Sequence, residues 1–526
     1  MNAVIYVSKT KRGSTKVLTE AVARAVGAEA KPVDCAGGIA GADTLFVGAS
    51  PYGRKTDTRL RDFLMKLTPE QARRRCEREN NHSGPQDDKT ELLLNYERYL
   101  LLAPEINVSV GAKINRRVSD EQIKSALSAV TRRHPILTAA IEIGNTDNTA
   151  RYSFGKTQPA LTIKRVENAE SDFIKDTVSF IDGVRTIDFY PFDNSPLVKL
   201  SVIADRVSTG FVTVGHHVLG DGLSYYFFLR DFLSALDGAE LGEPLYPPVI
   251  QGEQALPKNM RLGIPGRLIS KYCNHAYANS GKRYAVQDFE NLYAAYIKAH
   301  SPLRKLFFMT EDETRTMIAN CKAHGVTVND GIATAFCAVK SQSAKPSKYI
   351  GVANNIRGIL SPNPNGAMGN YTSGVSVPCD YDRHETFWAN AKAISVQIHK
   401  RLNNPKKHAV ATAFMLALSN EIHDAINFYP YENHPHKAMK TLEPILIGEK
   451  FAGLGTTNLG KKDCKYNNFD LSDFFFAPPL FGTSNLVVGA ITVNGKAAFC
   501  LTYEQRDFSE GEIMTMFDEA KSCLLC

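Results

Sequence analysis

The residues of this chain best suited to chemistry lie in one short run, His216-His217-Val218-Leu219-Gly220-Asp221-Gly222. An imidazole titrates near neutral pH, so a histidine held at the edge of a cleft can take the proton of an attacking hydroxyl as a general base. The preceding segment, Phe211-Val212-Thr213-Val214-Gly215, reads as a buried strand that would hold such a histidine rigidly. Adjacent side chains on an extended chain point to opposite sides, so only one of the pair can face the same cleft. His217 is assigned the catalytic role and His216 that of a satisfied core histidine. Gly220 and Gly222 are expected to let the backbone turn sharply. For Asp221 two roles stay open: acting beside the imidazole, or turning away to hold the loop through an ion pair. Histidine and aspartate are also metal ligands, but the spacing suggests no third ligand. The ten cysteines form no paired CxxC units, so a zinc knuckle is not expected.

Several elements must position this run. Leu197–Ile203 and Gly210–Gly215 alternate as strands. Gly222–Leu236 is an amphipathic helix, with Tyr225, Phe228, Leu229, Phe232, Leu233 and Leu236 on one stripe. A helix over Val118–Val130 opens on Asp120 and Glu121, where acidic side chains favour a helix start. Proline- and glycine-containing sequence between about 241 and 266 divides a first lobe, residues 91–265, from a second, residues 266–526. The second lobe mixes helices over Glu311–His324 and Asn329–Lys340 with strands over Tyr349–Ala353, Leu486–Val493 and Ala497–Tyr503.

The first 72 residues follow another pattern. Strands at 3–7, near 31–35 and at 44–49 alternate with helices from about Thr15 to Val26 and from Arg59 to Leu67, which implies a doubly wound parallel sheet. This segment resembles the first half of a flavodoxin. A hydroxyl-rich loop containing Ser8, Thr10, Ser14 and Thr15 follows the first strand, where that family binds phosphate, and Tyr52 falls where a residue could stack on FMN. The loop is longer than the family's, and the pattern stops near Ala72, before the second ring-binding loop. Two readings stay open: an FMN site, and a truncated remnant that binds no flavin. The charged, aperiodic stretch 73–90 reads as a linker.

The totals set outer limits. The chain has 526 residues, 43% hydrophobic and 22% charged, as in a soluble globular protein. Its net charge of +7 is spread along the chain rather than gathered into a nucleic-acid footprint. No apolar run reaches the ~18 residues that read as a membrane span. The start is apolar before it is basic, the reverse of a secretory signal, so a cytoplasmic location is the expectation.

HHVLGDG matches the HHxxxDG motif of nonribosomal-peptide condensation domains and their relatives, the alcohol O-acyltransferases and polyketide-associated acyltransferases. Other stretches resemble that superfamily in order. They are Arg132-Arg133-His134-Pro135-Ile136-Leu137, then Pro191-Phe192-Asp193 with Pro196-Leu197-Val198. Thr327-Val328-Asn329-Asp330, Asn354-Asn355-Ile356-Arg357 and Thr457-Asn458-Leu459-Gly460 follow. The resemblance covers about residues 91–526. It implies an α/β (α+β) fold of two lobes, like chloramphenicol acetyltransferase, with the active site in a tunnel between them. It also implies that His217 is the base, that Asp221 pairs with Arg357, that His134 is structural, and that Gly222 belongs to the motif. Asn458 would line the tunnel or serve as a turn residue before Gly460. No carrier-protein or adenylation signature is present, so a free-standing acyltransferase is expected. An alcohol or amine would be the acceptor and acyl-CoA the donor, or else a donor on a separate acyl carrier protein. Two other classes stay open: a catalytically silent lipid- or peptide-binding module, and a flavodoxin-type FMN electron carrier fused to a transferase.

Overall fold

In the computed structural model the described residues are three strands within the first 89 and, from Glu91 on, all residues except 95–96, 145–147, 167–171, 190–193, 447–452 and 481–483. The chain divides into two units, Met1–Lys89 and Thr90–Cys526. In the first, β1 (Asn2–Val7) is the middle of a parallel sheet, with β2 (Ala30–Pro32) on one side and β3 (Thr44–Ala49) on the other. The loop bearing Ser8, Thr10, Ser14 and Thr15, the position of Tyr52 and the linker 73–90 lie outside the described residues, as does Pro191-Phe192-Asp193 of the larger unit.

The larger unit begins with β4 (Glu91–Leu94), β5 (Asn107–Ile114), β6 (Ala140–Ile143), β7 (Ala150–Ser153), β8 (Ala160–Arg165), β9 (Val198–Ala204) and β10 (Thr209–His216). It continues with β11 (Pro302–Phe308), β12 (Tyr349–Asn355), β13 (Thr372–Pro378), β14 (Gly453–Lys462), β15 (Leu471–Ala477), β16 (Ser484–Val493) and β17 (Lys496–Glu504). These build two main sheets of mixed direction, ordered β15-β5-β10-β9-β8 and β11-β17-β16-β14-β12-β13, and a small sheet β4-β7-β6. The first main sheet is therefore not made from residues 91–265 alone. Leu471–Ala477 crosses over from late in the chain and pairs antiparallel with β5.

Each main sheet buries its apolar residues against helices. Val212 and Val214 of the first sheet share a core with the helices Asp120–Arg133 and Gly222–Leu236. The former starts at Asp120 rather than 118 because Ser119 and Gln122 form a reciprocal cap on its first turn. On the second sheet Ile350, Val352, Val375, Leu454 and Leu486 pack with the helices Glu311–Ala323, Val328–Lys340, Phe387–Leu402 and Glu510–Leu525. A third apolar cluster joins the helices Ile264–Ala278, Val410–Met415, Asn420–Phe428 and Lys437–Leu446. Buried Arg98, in the short helix Arg98–Leu101, clamps this cluster to the first strands by a two-pronged contact with Asp424 at 2.8 and 2.9 Å. Among the described residues no helix is long and apolar enough to cross a membrane.

Candidate active site

The strand β10 ends at His216, a single 3-10 turn covers His217–Leu219, and the helix Gly222–Leu236 opens with Asp221 as its cap. The two histidines separate here. His216 is fully buried, and its Nδ1 accepts a hydrogen bond from the Val218 amide at 3.2 Å. That bond places the proton of a neutral ring on Nε2. Burial, with a smaller contribution from the neighbouring His217, pushes its pKa down to about 3, so the ring stays uncharged. His217 is half-buried and lines a cavity of about 260 Å³ between the sheets. Among the described residues its Nδ1 meets no hydrogen-bond partner. Burial lowers the pKa of the imidazole from the usual histidine value, while the Asp221 charge and the ring's own main chain raise it part of the way back.

Asp221 faces away from the imidazole. Its carboxylate accepts from Arg357 Nη1 and Nη2, each at 2.8 Å, from the Ser224 and Tyr371 amides at 3.0 Å, and from the Thr372 hydroxyl at 3.1 Å. Asp221 is 1% exposed and Arg357 6%. Burial alone would push the carboxyl up, but the Arg357 charge and these bonds outweigh it and hold the pKa below the ordinary carboxylate value. The aspartate thus fixes the turn, and its charge reaches His217 only through space. Buried tyrosines secure the remaining carbonyls of the turn: Tyr225 donates to His216 O at 2.8 Å and Tyr152 to Val218 O at 2.6 Å. His134, fully buried, meets Asp231 at 2.8 Å on the far side of the same helix, a structural contact.

The two glycines of the turn serve a different need from the one expected. Gly220 has φ 168°, an extended conformation open to any residue, and Gly222 lies outside the left-handed region. What they supply is room. A Cβ at Gly220 would sit 2.5 Å from Ser224 Cβ, and one at Gly222 would sit 2.7 Å from the ring of Phe476.

The cavity collects walls from both halves of the unit. The first sheet gives His217, Val108 and Phe476. The second gives Val352, Gly374, Thr457 and Val487, and the third apolar cluster adds Met415 and Ile426. Asn458 is not part of this wall. Its Oδ1 accepts from the Gly460 amide at 2.8 Å, where Gly460 adopts φ 77° and the pairing of β14 with β16 shifts register. Thr457–Gly460 is thus a bulge within a strand rather than a turn between elements. Thr457, Tyr99 and Asn370 line the cavity, but sequence reasoning did not find them. Tyr99 and Asn370 lie outside every recognisable motif, and Thr457 was read only as a motif's first letter. Among the described residues no group of three or more His, Cys, Asp or Glu is arranged to hold a metal ion.

The arrangement of sheets and helices is a chloramphenicol-acetyltransferase-like fold, shared with solved condensation, epimerization and acetyltransferase structures. The trichothecene 15-O-acetyltransferase TRI3 of Fusarium sporotrichioides superposes with a TM-score of 0.54 at 11% identity, over 83% of this chain and 96% of that one. The epimerization domain from the third module of tyrocidine synthetase B gives 0.52 at 16%, over 81% and 91%. The first condensation domain of the CDA synthetase gives 0.53 at 10%, over 82% and 94%. No family model and no curated protein matches the sequence. At these identities the likeness defines the fold.

Proposed function

We propose that the protein transfers an acyl group from a thioester to an alcohol or amine, with His217 as the general base. The observation that carries this reading is the division of labour in one turn: His217 faces the cavity, His216 is packed behind it, and Asp221, in the wall but almost fully buried, is committed to Arg357. In the reaction, His217 takes the acceptor's proton as its oxygen or nitrogen attacks the thioester carbonyl. The tetrahedral oxyanion then collapses, the carbon–sulfur bond breaks, and the departing thiolate takes the proton back from the imidazolium. The oxyanion needs a neutral donor. Thr457 fits that role, because it lines the same cavity and carries a hydroxyl. Acyl-CoA is the donor expected first, and an acyl group on a separate carrier protein second.

The test is thiol release from acyl-CoA, acyl-pantetheine and acyl-carrier-protein donors with a panel of alcohols and amines, the ester or amide product being identified by mass spectrometry. Acceptor-dependent release that disappears in Thr457→Val and His217→Ala supports the reading. Release that is indifferent to acceptor and to both substitutions sinks it.

A further inference from the structure

The helix Ile264–Ala278 has two apolar faces and buries one of them. Ser270, Cys273, Ala276 and Tyr277 are buried, and Cys273 and Tyr277 pack in the third apolar cluster. On the other side Ile264 is 75% exposed, Leu268 62% and Tyr272 48%. Side chains four apart are neighbours on a helix, so these three form one ridge, about 12 Å long. Single exposed apolar side chains are ordinary. Among the described residues no other element carries more than one large exposed apolar side chain.

The surroundings of the ridge are basic. From Leu256 to Gln287 the chain has six lysines and arginines and no aspartate or glutamate, a run that the spread of charge over the whole sequence conceals. On the helix itself, Arg267 and Lys271 are exposed beside the ridge. The 3-10 turn Lys258–Met260 packs against the short helix Pro405–His408, which brings exposed Lys258, Lys406 and Lys407 together. Lys406 Nζ donates to Arg261 O at 3.0 Å. Glu253 pairs with Arg267 at 3.1 Å and Glu432 with Lys282, which leaves an excess of positive charge.

We propose that this face docks the protein on an anionic lipid surface, with Ile264, Leu268 and Tyr272 set among the headgroups and the cations on lipid phosphates and carboxylates. An apolar helix face bordered by Lys and Arg is suited to a membrane interface, where each cation near the surface adds attraction. A second copy of the chain fits poorly, since a two-fold contact would bring the same cations together. A protein partner needs about 800 Å² of matched surface a side, more than one narrow ridge offers. The third cluster, in which this helix packs, also supplies Met415, Ile426 and Leu446 to the wall of the cavity. Docking would thus bring the cavity to the bilayer across one layer of helices, which suits a substrate held in lipid. That substrate rests on the transfer reading, whereas docking can be tested without it.

The experiment is flotation of the full chain with vesicles of phosphatidylcholine alone and of equimolar phosphatidylcholine and phosphatidylserine, at low and high salt. One double variant, Ile264→Gln with Leu268→Gln, removes the ridge. Another, Lys258→Gln with Lys271→Gln, lowers the charge. All four side chains are exposed, so melting temperatures should match wild type. Wild type is expected to float with the anionic vesicles, and less so in high salt. Each double variant should bind them roughly tenfold or more weakly, while thiol release from acetyl-pantetheine with ethanol stays as in wild type. If no variant and no wild type releases thiol but the flotation pattern holds, docking stands and acyl transfer fails. No flotation of wild type, or flotation unchanged by loss of Ile264 and Leu268, overturns the proposal. A wild-type dimer in sedimentation that the ridge variant breaks, without flotation, makes the face a self-contact. Retention on poly-glutamate without flotation makes it a surface for an acidic protein. Either result overturns lipid docking.

Discussion

The two faces of the cavity are built on opposite principles. On the side of the first sheet, the turn from His216 to Ser224 is over-determined. Asp221 alone accepts from an arginine, two amides and a hydroxyl, and tyrosines hold the carbonyls on either side of His217. On the side of the second sheet, the wall is made largely of short side chains and glycines, and an added Cβ at Gly351 or Gly374 would meet only ordinary contacts. A base must be held to within a fraction of an ångström to be useful, and such precision comes from bonds made around it. On the proposed reading, the contrast separates a wall that holds the base from a wall that only bounds the cavity.

The sharpest way to break this contrast is at the histidines. His217→Ala is expected to lower turnover by about 10²–10⁴-fold, the usual share of a positioned base, with the melting temperature unchanged. His216→Ala should lower turnover far less and cost stability instead, because that ring is packed and bonded within the turn. Turnover and thermal denaturation of the two variants, measured side by side, check this. A His216 variant that is inactive beside an active His217 variant reverses the assignment.

Removing the arginine tests how firmly the turn is fixed. Arg357→Met leaves the Asp221 carboxylate buried without its charge partner, which costs about 3–5 kcal/mol. Chemical denaturation should show that loss, with turnover falling as the turn loosens. An unchanged denaturation midpoint would mean that the amides and the Thr372 and Ser224 hydroxyls hold the aspartate without the arginine.

A smaller effect is expected at Gly222. An added methyl would press on the Phe476 ring, and overpacking of this kind costs about 1–3 kcal/mol. Gly222→Ala in a Phe476→Leu background should recover part of that loss, which denaturation of the single and double variants would reveal. No recovery would point away from the ring as the obstacle.

The mildest expectation concerns pH. A base works in its neutral form, and burial lowers the His217 pKa below the usual histidine value near 6.5. Turnover should therefore stay level as pH falls from 8 to 6.5 and decline only in more acid solution. A pH–rate profile that already drops by half at 6.5 or above would show a ring less shielded than the structure has it.

These contrasts also explain what the sequence revealed. The helix Gly222–Leu236 and the strands around it were legible because their apolar residues recur at the right period and fill a core. The histidine turn was legible because its chemistry is concentrated in seven consecutive residues. The pairing of Arg357 with Asp221 lay beyond any spacing argument, since 136 positions separate them; the resemblance supplied it. The cavity wall of the second sheet was the least legible part. A strand such as Gly453–Lys462, GLGTTNLGKK, carries few apolar side chains because the face turned to the cavity carries almost none. Within it, residues 457–460 were read as a turn from the resemblance alone, where the structure has a bulge inside the strand. The helices Ile264–Ala278 and Val286–Ala299 were missed as well, the first because it opens on Pro265 and Gly266 in sequence that looked like a connection.

The crossover of β15 into the first sheet has a consequence during synthesis. β5 ends at Ile114, while its outer partner is complete only at Ala477. At a translation rate of about 5–20 residues per second, that edge of the sheet stays open for roughly 20–70 s after β5 itself has been made. Throughout that interval an apolar strand with unpaired main-chain groups faces the cell, the kind of edge onto which other chains add. The nascent first half is then a natural client for a chaperone, and a ribosome stalled before Ala477 would leave behind a sticky fragment rather than a small working domain.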